Sequence, residues 1–347
     1  MTVSTAGTPE GRTPATQRLE SRHPEILALG EAMIEFNQSA KDQPNYLQGF
    51  GGDTSNFCIA AARQGAKTGF VSAVGSDHFG RLLIDLWERE QVETSLVRID
   101  SHAPTGVYFV SHGPAGHAFD YLRAGSAASR YAPHDLPLDA IAAAKVIHLS
   151  GISLAISLSA CDAALAAIEH ARANGARVSF DTNLRLKLWP LARARAVMLE
   201  AIRHTDICLP SWDDVTELTG LTGRDEIVDF LLSHGPRVVA LKLGKEGSYI
   251  ATPDERRVVP GHVVNAVDAT GAGDCFGGAF IARIVAGDDP FQAARLCERR
   301  RGAVHARLRR GRADPFARDG RTHPGRLTVT RCEARPAVRQ DKIILRH

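Results

Sequence analysis

Short apolar runs recur through this chain with amphipathic stretches of helical length between them, and that alternation narrows its fold more than any other feature. Ile26–Leu29, Thr68–Val74, Val146–Leu149, Val178–Asp181, Ile207–Leu209 and Val238–Leu243 read as buried strands. Asn56–Gln64, Cys161–Ala173, Arg193–Arg203 and Arg224–His234 read as the helices among them. Strands and helices alternating at this length close as right-handed crossovers around a mostly parallel sheet flanked by helices, an α/β fold. Ligands of such a sheet bind beyond the carboxyl ends of its strands. Two stretches break the alternation, Ile34–Leu47 and Gly106–Leu122. They are polar, and Tyr108, Phe109, Phe119 and Tyr121 fall near period two. They predict a small projecting β-sheet, with strands over about 34–48 and 104–123. It is either a lid over the site or an ordinary edge hairpin.

The two ends of the 347 residues differ from this middle. Residues 1–24 are rich in Thr, Pro, Gly, Glu and Arg and contain no apolar stretch, so they predict a disordered leader, neither signal peptide nor membrane anchor. Residues 296–347 carry 14 Arg and one Lys against five acids, whereas 27 bases face 34 acids before them. The folded domain is therefore expected at 25–295, with an aberrant Arg-rich tail after it. An acidic body gives no electrostatic reason to bind nucleic acid or a membrane surface. A nucleic-acid arm is the competing reading of the tail, but the tail has no helical periodicity. Cys58, Cys161, Cys208, Cys275, Cys297 and Cys332 form no Cys-x-x-Cys pair and have no His at metal-ligand spacing. Reduced thiols in a cytoplasmic protein fit that pattern.

Three glycine clusters carry the candidate chemistry. In Val267–Asp274 the small residues Thr270, Gly271, Ala272 and Gly273 precede the apolar run Cys275–Ile284. Backbone amides of Gly271, Ala272 and Gly273 can converge at the positive end of that helix and form an anion hole. Asp274 opens the helix; it is either a dipole partner or, with a hydroxyl beside it and a phosphoryl group in the hole, a proton acceptor for in-line transfer. Gly49–Asn56 leads into a second helix. Gly51 and Gly52 would let a small molecule approach the backbone while Asp53 and Asn56 meet its hydroxyls; the plainer reading is a tight turn with a cap. The third, Lys242–Gly247 with Gly244 between, follows a strand and reads alone as a turn. No Gly-x-x-x-x-Gly-Lys-Ser/Thr loop is present.

Taken together, Gly51–Gly65 and Asp268–Asp274 resemble the amino- and carboxy-terminal motifs of the ribokinase-like (pfkB) carbohydrate kinases, over Ile26 to about Arg295. Gly30–Glu35, Gly49–Thr54, Tyr121–Ser129, Leu149–Ile156, and Asp181–Arg185 with Leu188–Trp189 are similar to the branch acting on 2-dehydro-3-deoxygluconate. The resemblance implies ATP-dependent phosphorylation of a small sugar acid at its primary hydroxyl. Asp274 would be the general base and Gly271–Gly273 the hole for the γ-phosphoryl charge. Gly51, Gly52, Asp53 and Asn56 would bind hydroxyls, and Tyr108 and Tyr121 would line the pocket from the lid. An acid substrate needs a cation, and Arg123 and Arg185 are the candidates because guanidinium pairs bidentately with carboxylate or phosphate. Each has a plainer reading, Arg123 as a surface strand residue and Arg185 as an ion-pair partner, and the tyrosines can simply pack the small sheet. Asn183, Arg185, Lys242, Gly244, Gly247, Thr270, Gly271 and Gly273 would lie along the nucleotide. The exposed lid implies a homo-oligomer, and K+ is a possible further cofactor.

Two features depart from the family. Ser211-Trp212-Asp213-Asp214 replaces an Asn-x-x-Glu, so Mg2+, held chiefly by the ATP phosphates, has Asp214 as its only protein candidate. After Arg295 the expected alanine-rich helix is replaced by arginine-rich text. Back-translated with suitable codons and read one nucleotide later, the stretch from Leu296 gives YANAAAALSTRGYGAVA, an alanine-rich segment. A frameshift near codon 296 is therefore expected, with a tail that is not native-like.

Overall fold

The structure is a computed structural model and describes residues 23–40, 44–113, 116–261 and 271–298. Its strands, in chain order, are β1 (Ile26–Leu29), β2 (Met33–Gln38), β3 (Tyr46–Gly51), β4 (Thr68–Gly75), β5 (Val92–Glu93), β6 (Val97–Asp100), β7 (Val107–Gly113), β8 (Gly116–Leu122), β9 (Val146–Ser150), β10 (Arg177–Asp181), β11 (Ile207–Cys208), β12 (Val238–Lys242), β13 (Gly247–Ala251) and β14 (Arg256–Pro260). The helices are α1 (Asp53–Arg63), α2 (His78–Arg89), α3 (Leu138–Ala143), α4 (Gly151–Ala155), α5 (Leu158–Ala173), α6 (Leu191–Arg203), α7 (Trp212–Thr219), α8 (Arg224–His234) and α9 (Ala272–Val285).

Nine strands run in the order β14-β13-β12-β11-β10-β9-β1-β4-β5, and β6 joins along β4. Pairing is parallel from β12 to β5, while β12–β13 and β13–β14 are antiparallel. Every residue of β1, β4 and β9 is buried, as continuous apolar strands between two helical layers must be. Side chains alternate between the layers. Ile26 and Ala28 join Phe57 of α1, Trp87 of α2 and Phe280 of α9, whereas Leu27 and Leu29 join α5, α6 and α8 through Ile168, Met198 and Leu231. The tightest helix contact is α1 on α9: a methyl group on Gly278 would come within 2.1 Å of the Phe57 carbonyl oxygen. Among the described residues no helix is long and apolar enough to cross a membrane.

The two irregular stretches form a separate sheet, β3-β2-β7-β8. Antiparallel β2–β3 and β7–β8 flank a parallel β2–β7 pair in the register Ile34↔Val107 to Asn37↔Val110. Phe36, Phe109 and Tyr46 pack its covered face, and β8 is exposed along its whole length. β13 and β14, a hairpin on the edge of the main sheet, are strands that the alternation did not predict. Helix α9 begins at Ala272, so Asp274 lies inside its first turn and does not open it, and a further helical stretch covers residues 290–298.

Candidate active site

Parallel strands deliver their carboxyl ends to one edge, and here the ends of β1, β10 and β12 meet the starts of α1 and α9. Both helices begin on a glycine in left-handed territory, Gly52 at φ 129° and Gly271 at φ 73°, with no side chain capping the first amides. Helix-start amides without a side-chain cap among the described residues carry partial positive charge, and here two such starts adjoin.

Asp274 stands at that junction. Its Oδ2 accepts a hydrogen bond from Asn56 Nδ2 at 3.0 Å, which ties the two helix starts together. Burial, reinforced by the nearby Asp53 charge, pushes the Asp274 carboxyl up to about 7, against the pull of Asn56 and Lys242. A carboxylate with that value accepts a proton near neutral pH more readily than an ordinary aspartate.

A second layer holds the first. Asn183, at φ 30°, donates through Nδ2 to Asp53 Oδ2 at 2.7 Å, and its amide donates to Asp181 Oδ1 at 3.2 Å. Asp181 is buried and ion-paired with Lys242; burial raises its pKa and the lysine opposes the shift. The Lys242 ammonium also reaches Gly273, where an added methyl group would lie 3.4 Å away. Thr182 Oγ1 donates to Asp214 Oδ2 at 3.3 Å, and Ser211 caps α7 beside it. Gly244, at φ 60°, and Gly247, at φ 106°, shape the turn from β12 to β13.

The small sheet, the candidate lid, packs against the Gly51 turn. Tyr108 is buried, donates to Glu35, and lies so close over Gly51 that an added methyl group would meet its hydroxyl at 2.2 Å. Tyr121, half exposed, stacks on Tyr108 with ring centres 5.6 Å apart. Arg123 is buried and ion-paired with Glu31, while its Nε has no hydrogen-bond partner among the described residues. Arg185 is exposed, and its Nη1 donates to the Leu184 carbonyl at 2.8 Å. Gly51, Gly52, Asp53, Asn56, Asn183, Lys242, Gly271, Gly273 and Asp274 thus gather at one edge, with Tyr108 above them. Thr270 lies outside the described residues. Glu31 and Asp181, the ion-pair partners of the candidates Arg123 and Lys242, were not among the sequence candidates, although both stand in stretches singled out in the sequence. Their signal was an acid two residues beyond an apolar strand or at the end of one.

Comparison with known proteins decides the family. The profile of the pfkB family carbohydrate kinases matches residues 23–298. The chain belongs to the pfkB family of carbohydrate kinases. Among its relatives in that family, the 2-dehydro-3-deoxygluconokinase of Thermoproteus tenax is 34% identical over 296 residues, 83% of this chain and 88% of that protein. The probable fructokinase-5 of Arabidopsis thaliana is 33% identical over 269 residues, 75% and 83% of the two chains. A solved structure of a putative ribokinase II from E. coli in complex with ATP and Mg2+ is similar with a TM-score of 0.75 and 26% identity, over 81% of this chain and 92% of that one. The pfkB α/β fold, with its mostly parallel sheet and its small four-stranded sheet, is the one described above.

Proposed function

We propose that this pfkB kinase transfers the γ-phosphoryl group of ATP to the primary 6-hydroxyl of 2-dehydro-3-deoxy-D-gluconate. The observation that carries the chemistry is Asp274, held by Asn56 beside the uncapped start of α9 with its carboxyl near neutrality. The Asp274 carboxylate takes the hydroxyl proton as the sugar oxygen bonds to the γ-phosphorus and the bond to the ADP oxygen breaks. The amides of Gly271, Ala272 and Gly273 hold the charge that spreads over the transferring oxygens. Gly51, Gly52, Asp53 and Asn56 orient the sugar, and Tyr108 and Tyr121 cover it. Asn183, Arg185, Lys242, Gly244, Gly247 and Thr270 border the nucleotide.

Arg123 supports the acid substrate: it is a buried cation at the lid root whose Nε has no hydrogen-bond partner among the described residues. A relative acting on the same sugar acid and one acting on fructose are almost equally similar to this chain, so fructose is the second reading. Magnesium, carried chiefly by the ATP phosphates, would neutralise charge on the β- and γ-oxygens. Asp214 fits a magnesium-bound water because its hydrogen bond to Thr182 uses only Oδ2. Among the described residues no group of three His, Cys, Asp or Glu is placed to hold a metal ion by itself. The fully exposed β8 supports pairing of two lids in a homo-oligomer.

The tail belongs to the same reading. Residues 299–347 lie outside the described residues, and the family match ends at 298, just past the proposed frameshift at codon 296. We therefore take 25–295 as the kinase body and the Arg-rich remainder as out-of-frame text. The test is ADP release from this chain and from a frame-restored copy, given ATP and Mg2+ with either the sugar acid or fructose, with Asp274→Asn as blank. Turnover of the acid with a kcat/KM at least tenfold above that for fructose is expected, in the restored copy at least. Preference for fructose would move the protein to the second reading, and no indel on re-sequencing codon 296 would remove the frameshift.

A further inference from the structure

Four stretches of chain cross between the main sheet and the lid: residues 30–32, 51–53, 104–106 and 123–127. Glu31 stands where they meet. Its Oε1 accepts a hydrogen bond from Ser126 Oγ at 2.7 Å and its Oε2 is ion-paired with Arg123 Nη2, so one carboxylate ties the first crossing to the fourth. A methyl group on Gly106 would lie 2.8 Å from Glu31 Oε1, and one on Gly52 would lie 2.7 Å from the Glu31 carbonyl oxygen. The same residue is therefore packed against the other two crossings as well. Backbone bonds complete the knot: Ala127 N–H donates to Pro104 at 2.8 Å and Ile34 N–H to Gly106 at 3.1 Å. Glu31 is 2% exposed, Arg123 9% and Ser126 1%.

A buried pair of opposite charges adds little to folding stability, because desolvation offsets the attraction. It does fix geometry, since displacing either partner leaves a charge buried and unpaired. The groups whose geometry is fixed here are the glycine turn before Asp53, Arg123 itself, and Tyr108 two residues beyond Gly106. We propose that Glu31 is a positioning residue that holds the four roots of the lid in one register and aims Arg123, so that the Gly51–Asp53 turn, Tyr108 and Arg123 close on the same ligand. It touches no reacting atom. The identity of that ligand rests on the sugar-kinase reading above, whereas the register of the roots is a property of the chain alone.

The test is hydrogen exchange, read by mass spectrometry on the full chain, comparing wild type with Glu31→Gln. That isosteric change keeps an acceptor for Ser126 and removes the charge facing Arg123. Peptides covering 33–38, 46–51 and 107–113 are expected to exchange at least tenfold faster, with β9 and β10 unchanged. In parallel, the sugar KM should rise tenfold or more, while kcat and the KM for ATP move less than threefold. Ser126→Ala leaves the ion pair in place and should show the same pattern to a smaller extent, which serves if Glu31→Gln does not fold. Unchanged lid exchange in the folded variants would overturn the proposal, and so would exchange raised equally in lid and main sheet, because Glu31 would then be a core residue and no more. If wild type phosphorylates neither sugar, the functional reading fails while the exchange arm still decides the role of Glu31.

Discussion

Helices α2 and α5 begin differently from α1 and α9. Asp77 accepts the Gly80 amide at 2.8 Å and Ser157 the Ala160 amide at 3.0 Å, so the first pair satisfies its own free donors with side chains. The second pair starts on Gly52 and Gly271, with no side-chain cap among the described residues and an acid, Asp53 or Asp274, in the first turn. Burial and the neighbouring Asp53 charge work against ionising Asp274, and the chain keeps it there nonetheless. A sequence shaped for stability alone would cap both helices and separate the acids. Helices α3, α6 and α8 also start without a side-chain cap, so what sets α1 and α9 apart is that their starts adjoin, tied by Asn56 to an Asp274 carboxyl that burial pushes up.

Removing the acid breaks the comparison most completely. Asp274→Asn keeps the Asn56 contact but no longer accepts a proton, and kcat should fall about 10³-fold with KM values little changed. The same variant should be the more stable protein in alkali. The folded-state value of about 7 lies above the ordinary 3.8, so the folded form binds this proton more tightly than the unfolded form. The unfavourable contribution is absent below pH ~4, grows up to ~7 and is complete above it. Thermal melts should therefore favour Asp274→Asn at pH ~8 and show no advantage at pH ~4.

Capping the uncapped helix comes next. Gly271→Asn tolerates the left-handed backbone and brings its own acceptor to the α9 amides. It should leave stability within about 1 kcal/mol of wild type while lowering kcat/KM for ATP on the order of tenfold or more. Steady-state kinetics beside a denaturant titration checks both. The pH profile sharpens the same point: kcat/KM for the sugar should rise about tenfold per unit as pH increases, levelling near 7 when Asp274 is deprotonated. The smallest effect is expected on the other side of the comparison. Ser157→Ala should cost about 1 kcal/mol of stability and leave kcat unchanged, since its bond to the Ala160 amide caps α5 alone.

The sheet was legible because continuous apolar runs leave little choice. β1 and α8 fall at the bounds the pattern predicts, and Val146, Thr68 and Val238 begin their strands as expected. The β13–β14 hairpin was missed because its strands are short and mixed in polarity; Thr252-Pro253-Asp254 between β-branched residues was the available signal. Helix α2 was also left out, although Asp77 followed by Leu83, Leu86 and Trp87 carries both cap and helical spacing. At the site, the glycine turns, Asp53, Asn56 and Asp274 stand in two local motifs and could be read directly. The ion pairs could not. Lys242 meets Asp181 across 61 positions and Arg123 meets Glu31 across 92, distances that only strand order closes. Arg123 illustrates the consequence: the sequence left it as either a ligand cation or a surface strand residue, and the fold buries it beside Glu31.

The most direct test of the central claim is the ionisation of Asp274 itself. Carbon NMR of protein labelled at the aspartate carboxyls, with the Asp274 signal assigned by its absence in Asp274→Asn, follows that group without reference to any substrate. A titration midpoint near 7 is predicted from its burial beside Asp53 at the uncapped start of α9. A midpoint in the ordinary aspartate range, near 3.8, would contradict the account.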